Sequence, residues 1–190
     1  ARRAVLETAG EVLTFDGAII QAFYHSSCGG RTEASENVWG ASIPYLKGVE
    51  CQYCLTSPTG TTWECKLLLK EIEERLRAAG HKVTGLYDIK PGALNSRGRL
   101  KQVILLASKG DSTISGEQFR KAVGYGVIKS TRFTLKKSKN EISFSGSGNG
   151  HGVGLCQWGA KQRALDGFAS GEILSYYYPG TELKKLSDIR

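Results

Sequence analysis

Apolar and polar positions alternate in blocks along the chain, and the blocks change period. Val12, Leu13, Phe15 and then Ala18, Ile19, Ile20, Ala22, Phe23 and Tyr24 form two runs rich in β-branched and aromatic residues on either side of Asp16-Gly17. That dipeptide readily supplies the positive φ of a tight turn, so the pattern predicts two antiparallel strands over 12–24. Between Glu64 and Gly80 the spacing lengthens: Leu68, Ile72, Leu76 and Ala79 recur at helical intervals, with Glu71/Arg75 and Glu73/Arg77 one turn apart on the polar side. The prediction is an amphipathic helix opened near Cys65 and stopped at Gly80. A strand near Val83–Tyr87, a Pro91-Gly92 turn, a stronger strand over Leu100–Ala107 and a helix over 116–124 follow. Strand pattern returns at Ile142–Phe144; a helix is expected over Leu155–Asp166, and a last one capped by Ser170 ends before Pro179-Gly180.

This order of elements predicts an α+β fold, a mixed and mainly antiparallel β core with short helices. Residues 1–63 and 141–190 are expected to form the core and 64–140 an inserted α+β subdomain, rich in Lys and Arg and poor in motifs. At 190 residues the chain fits one domain with a modest insertion. No apolar run approaches the ~18 residues of a membrane span. No apolar signal core follows Arg2-Arg3, so a targeting segment is expected to have been removed or never present. Lys plus Arg exceed Asp plus Glu by 26 to 18, a net charge of +8 that favours an anionic partner: nucleic acid, an acidic lipid surface or an acidic wall polymer. The lysines are scattered rather than interleaved with aromatics, which speaks against nucleic acid.

Candidate chemistry gathers at two glycine-flanked places. His25-Ser26-Ser27-Cys28-Gly29-Gly30 ends the first strand pair, and Ser145–Gly154 holds five glycines in ten positions. A loop or a backbone contact is expected at each. Neither fits a nucleotide fingerprint, because His151 stands where the dinucleotide motif needs glycine and no Gly-Lys-Ser/Thr follows. The zinc-peptidase and nucleophile-elbow motifs are absent too. Cys51 and Cys54, two residues apart, can turn both sulfurs toward one tetrahedral ion, completed by Cys28 and Cys156 or by His25 and His151. Alternatives are a disulfide from Cys28 to one of the pair, or a Cys28 or Cys156 nucleophile activated by a neighbouring histidine. Cys65, the fifth cysteine, reads as buried and inert. Glu33 and Glu36 follow the paired glycines; one lodged among backbone-rich loops could lose its water and protonate a glycosidic oxygen, while the plainer reading is two glutamates complementing the dipole of a short helix.

Three strings then carry a resemblance. They are Tyr24-His25-Ser26-Ser27-Cys28-Gly29-Gly30-Arg31-Thr32-Glu33, then Glu36-Asn37-Val38-Trp39-Gly40 with Pro44-Tyr45-Leu46, and Gly150-His151-Gly152-Val153-Gly154-Leu155-Cys156-Gln157-Trp158-Gly159-Ala160. With Ser115-Gly116-Glu117, Arg120 and the Tyr176–Thr181 tail, they resemble the stage II sporulation protein D (SpoIID/LytB) family in order along the chain. The resemblance implies a bacterial lytic transglycosylase, outside the cytoplasm in the cell envelope, that cuts peptidoglycan glycan strands stripped of peptide to 1,6-anhydro-muramoyl ends. It places the single general acid and base at Glu33, directly after Gly-Gly-x-Thr, with no second carboxylate required. His25, Ser27, Gly30, Glu36, His151 and Gln157 become substrate-binding candidates, and Trp39 and Trp158 stacking surfaces. A non-catalytic wall-binding or amidase-enhancing role is also linked to the family, and a cell-wall amidase is then an expected partner. Many members carry serine where Cys28 and Cys156 stand. Their joint appearance here with Cys51 and Cys54 favours a structural zinc on these four, beside Glu33. Members usually also have an upstream helical segment with an Ala-Arg-Thr-Tyr string, which is not among these residues.

Overall fold

A computed structural model describes residues 2–57 and 61–189. The architecture is mixed α+β, mostly antiparallel sheets with short helices. Two hydrophobic cores divide the molecule. The larger lies between two three-stranded sheets and two helices. One sheet orders Phe133–Ser138, Glu141–Ser147 and Thr62–Leu68; the other orders Leu86–Pro91, Gln102–Ala107 and Ser112–Ser115; all pairs are antiparallel. Period-two alternation builds the walls: Val103, Leu105 and Ala107 point inward from one strand, Ile142 and Phe144 from another. Helix Leu69–Ala78 closes one side with Leu69, Ile72 and Leu76, and helix Gly116–Val123 adds Phe119 and Val123. The second helix starts on a capping box, Ser115 Oγ accepting from the Gln118 N–H while Gln118 Oε1 accepts from the Ser115 N–H.

The smaller core has Leu46, Val153, Ile173, Tyr177 and Tyr178 packed around four buried cysteines. Its strands are minimal. Tyr24–His25 pairs in parallel with Leu155–Cys156, and Gly30–Arg31 pairs antiparallel with Glu50–Cys51. A third three-stranded sheet joins Glu182–Lys185, Glu11–Phe15 and Ala18–Ile19. Helix Gln157–Leu165 docks on the 3₁₀ turn Gln52–Thr56 through Arg163, whose guanidinium carbon lies 3.9 Å from the Phe168 ring centre and 4.1 Å from that of Tyr176, and which donates to the Tyr53 hydroxyl at 2.8 Å.

Several elements differ from the sequence reading. The Asp16-Gly17 turn is present, with φ 48° and 79°, but the second strand ends at Ile19 and the chain leaves the sheet before Tyr24. The helix expected from Glu64 begins at Leu69, because Trp63 and Leu67 already face the core from a strand; Cys65 lies on that strand, half-buried, and Leu68 points outward, 55% exposed. The strand placed at Val83–Tyr87 runs Leu86–Pro91, so Pro91 ends a strand rather than opening a turn. Leu155–Cys156 is a strand ahead of its helix, and the N-cap of helix Ser170–Tyr177 is Ala169, its N–H donating to Glu172 at 2.7 Å. The boundary drawn at 63/64 falls within Thr62–Leu68, which pairs with Glu141–Ser147 across the other boundary. No helix among the described residues is long and apolar enough to cross a membrane.

Ile72 and Leu68, grouped by spacing, are separated by burial. Ile72→Ala is expected to cost about 2–5 kcal/mol as a cavity in a fully buried site, and Leu68→Ala about 0.5 kcal/mol or less. Urea unfolding midpoints at constant m-value measure both.

Candidate active site and cysteine cluster

The two glycine-flanked segments lie side by side. The Ser27 N–H donates to the Asn149 carbonyl at 3.1 Å and the Asn149 N–H returns to Ser27 at 2.7 Å. A Cβ on Gly29 would sit 3.0 Å from the Gly148 nitrogen, and one on Gly148 3.0 Å from the Cys28 carbonyl carbon, so the backbones touch where side chains would hold them apart. Further on, the Glu33 N–H donates to the Gly152 carbonyl at 2.8 Å, and Glu33 bridges Val153 in parallel.

This pairing delivers Cys28 and Cys156 to Cys51 and Cys54. The four sulfurs are buried and lie within 4.8 Å of one another. A tetrahedron of Zn–S bonds of ~2.3 Å has edges of about 3.8 Å, which this cluster brackets. All four thiols are free; Cys28 and Cys54 approach to 3.4 Å, too far for the ~2.05 Å of a disulfide. Outer donors surround them: the Gly159 N–H reaches Cys156 Sγ at 3.4 Å from the first turn of its helix, and the Tyr177 hydroxyl meets Cys51 Sγ at 3.1 Å. Gly159 has no room for a side chain, since a Cβ would stand 2.5 Å from Cys51 Sγ and 2.2 Å from the Tyr177 oxygen. The hydrogen bond with Cys156 is the first cause pushing the Cys28 thiol up and the first holding the Cys54 thiol down. Thiols this close cannot all ionise unaided, whereas a divalent cation would let each bind as thiolate.

Both histidines stand outside the cluster, held by the backbone of one residue, Val153. His25 Nδ1 meets the Val153 carbonyl at 3.1 Å, and His151 Nδ1 accepts from the Val153 N–H at 3.1 Å. Burial, then His151, pulls His25 down to about 3.

Glu33 has no exposed surface. Its Oε1 accepts from the Ala34 N–H at 2.9 Å and from Asn37 Nδ2 at 2.8 Å; its Oε2 accepts from Asn95 Nδ2 at 2.8 Å. Arg97 Nε lies 3.7 Å from Oε1 and Arg99 Nε 3.7 Å from Oε2. Of the two sequence readings, a glutamate lodged among loops and a pair complementing a helix dipole, the burial of Glu33 fits the first, and neither included the donors and cations that surround it. Burial pulls the Arg99 guanidinium below its ordinary value, with Glu33 the first group opposing. Arg99 also donates to the Cys28 carbonyl at 3.3 Å and so joins carboxylate to cysteine cluster. Asn95, Arg97 and Arg99 come from the hairpin tip between Leu86–Pro91 and Gln102–Ala107, in a segment that sequence gave no role. The available signal was a polar Asn-Ser-Arg-Gly-Arg run between two strands.

The remaining candidates scatter by exposure. His25 and Ser27 are buried; Gly30 and His151 are half-buried; Glu36 and Gln157 are exposed on helices Ser35–Trp39 and Gln157–Leu165. Trp39 stands 43% exposed, 4.5 Å from the Phe23 ring centre and 5.3 Å from that of His151, so the three rings form an aromatic face. Trp158 is half-buried, with Lys161 Nζ 4.7 Å from its ring centre. A cavity of about 50 Å³ is lined in part by Asn37, Asn95 and Arg99, and an open cleft of about 460 Å³ by Arg97, all of them neighbours of Glu33.

Comparison with known proteins agrees with this arrangement. Residues 58–154 match the family model described as Domain of unknown function (DUF8618). An uncharacterized protein of Brachyspira hyodysenteriae is 32% identical over 95% of this chain and 48% of its own length. The amidase enhancer of Bacillus subtilis is 32% identical over 95% of this chain and 32% of its own, and the stage II sporulation protein D of the same organism 31% over 96% and 50%. The chain thus spans half or less of these relatives. Nearly the whole chain aligns with them: the chain belongs to the DUF8618 family over residues 58–154 and, with its relatives, to the stage II sporulation protein D family.

Proposed function

We propose that this chain is the glycan-cleaving unit of a lytic transglycosylase that acts on peptidoglycan strands in the bacterial cell envelope, outside the cytoplasm. The observation that carries the reading is Glu33: a fully buried carboxyl, held at both oxygens, whose neighbour Arg97 lines an open cleft. In the reaction the Glu33 carboxyl gives its proton to the glycosidic oxygen as the bond to the muramoyl C1 breaks. The resulting carboxylate takes the proton of the muramoyl 6-hydroxyl as that oxygen bonds to C1, which closes the 1,6-anhydro ring and restores the acid. Asn37 and Ala34 orient the carboxyl throughout. Asn95 gives way at Oε2 as the sugar enters, while Arg97 stays anchored on the carbonyls of Thr32 and Lys47. Trp39 and His151 offer the face on which a sugar ring packs.

Cys28, Cys51, Cys54 and Cys156 would hold a structural zinc, whose contribution is to fix the loop that precedes Glu33; it takes no part in bond cleavage. A second reading, a module that binds the wall and stimulates an amidase without cutting glycan, is favoured by one observation: the carboxyl is covered in the closed arrangement seen here.

On peptide-free glycan, wild-type protein is expected to release anhydro-muramoyl products, and Glu33→Gln to lower their rate about 10²–10⁴-fold. Mass spectrometry of products, normalised to folded protein by circular dichroism, measures this. Full activity of the variant refutes the assignment, and amidase stimulation without anhydro ends from wild type selects the second reading.

Protein prepared without chelator is expected to carry one zinc per chain. Cys51→Ser and Gly159→Ala should each lower metal content, the latter by steric pressure on the Cys51 sulfur. Acidification should release the ion, because protons compete for thiolates. Elemental analysis across pH reads all three, and metal-free wild type that melts unchanged would exclude the role.

A further inference from the structure

Peptidoglycan alternates two sugars, and an enzyme that closes a ring on muramoyl C1 must know which of the two stands at its acid. The sugars differ at one place, the lactyl ether that gives muramic acid a carboxylate. We propose that the open cleft beside Glu33 binds that carboxylate and so sets the register of cleavage; this rests on the reading of the chain as a glycan-cleaving unit.

The cleft of about 460 Å³ is lined by three guanidinium groups, Arg31, Arg97 and Arg132, against a single carboxylate, Glu50. Each guanidinium is already anchored. Arg97 donates to the carbonyls of Thr32 at 3.0 Å and Lys47 at 2.9 Å, Arg132 donates to that of Gly29 at 2.9 Å, and Arg31 pairs with Glu50. Arg31 and Arg132 are each held through one contact, which orients the planar group and leaves further N–H donors for bidentate capture of a carboxylate; Arg97, engaged at both terminal nitrogens and beside Glu33 through Nε, adds its charge. Gly30 lies between Arg132 and Leu55 at φ 111°, a conformation that side chains rarely adopt. Arg97 also ties the cleft to the reacting group, with its Nε 3.7 Å from Glu33 Oε1. An anion held by Arg97 is therefore one guanidinium away from the proton donor, the scale of the distance from a sugar's C3 substituent to its C1. The walls come from the motif loop, the Glu50–Leu55 hairpin, the hairpin tip and Arg132, so both halves of the molecule close on this ligand.

The test is calorimetric binding in a Glu33→Gln background, where strands are not consumed. The probes are peptide-free glycan, the same glycan with its carboxyls amidated by methylamine, chitin oligosaccharides of equal length, and poly(glycerol phosphate) as a phosphate-bearing polymer. Unmodified glycan is expected to bind roughly tenfold tighter than amidated glycan or chitin oligosaccharides. Arg132→Gln should erase that difference while chitin binding is kept. Glu50→Gln releases Arg31 and should tighten unmodified glycan about two- to threefold, a gain that misfolding cannot imitate. Equal binding of native and amidated glycan overturns the proposal, as does an Arg132 dependence seen only with poly(glycerol phosphate). Failure of the glycan-cleaving reading shows elsewhere, as wild-type protein that yields no anhydro product, whatever the binding ratios.

Discussion

Four buried sulfur atoms converge at the centre of the motif-bearing half of this molecule. The apolar side chains around them are few, Leu46, Val153, Ile173, Tyr177 and Tyr178 among the fully buried ones, and the strands there are two residues long. Partly buried side chains such as Phe23, Val38, Tyr45 and Trp158 pack around this small core, and the four thiols add a donor set of the kind that small cores use to bind a metal. The cluster draws in Cys28 from the motif loop, Cys51 and Cys54 from the adjoining hairpin and turn, and Cys156 from the start of a helix. Each attachment fixes one wall of the site.

The other half is an ordinary hydrophobic sandwich, and it reaches the site through a hairpin tip. Arg99 carries the connection, donating to the Cys28 carbonyl and facing the Glu33 carboxylate from within the protein. A buried guanidinium is costly unless an acidic group faces it, and Glu33 is the first group that opposes the effect of burial on Arg99. The sandwich therefore contributes to the chemistry by supplying charge where the cysteine-built half has only backbone.

Much of this was legible from local pattern. The Asp16-Gly17 turn, the Gly116–Val123 helix and the pairing of Cys51 with Cys54 depend on neighbours within a few residues. Thr62–Leu68 was misread because its alternation of Trp63 and Leu67 runs straight into the helical spacing of Leu68, Ile72 and Leu76, with no side-chain cap to mark the change. The completion of the cluster by cysteines instead of histidines was one of two open choices, settled by the Val153 backbone that engages both imidazoles. The donors around Glu33 were out of reach, since Asn95 and Arg99 lie more than sixty residues away in sequence and long-range contacts leave no periodic trace.

Asn95 has a second engagement. Its Oδ1 accepts from the backbone N–H groups of Arg97 and Arg99 at 2.9 and 3.0 Å, while its Nδ2 holds Glu33. The turn is thus braced from inside by the same side chain that touches the acid. One amide therefore couples the shape of the hairpin tip to the position of the carboxyl, so a change in the turn is felt at Glu33 without any intervening residue.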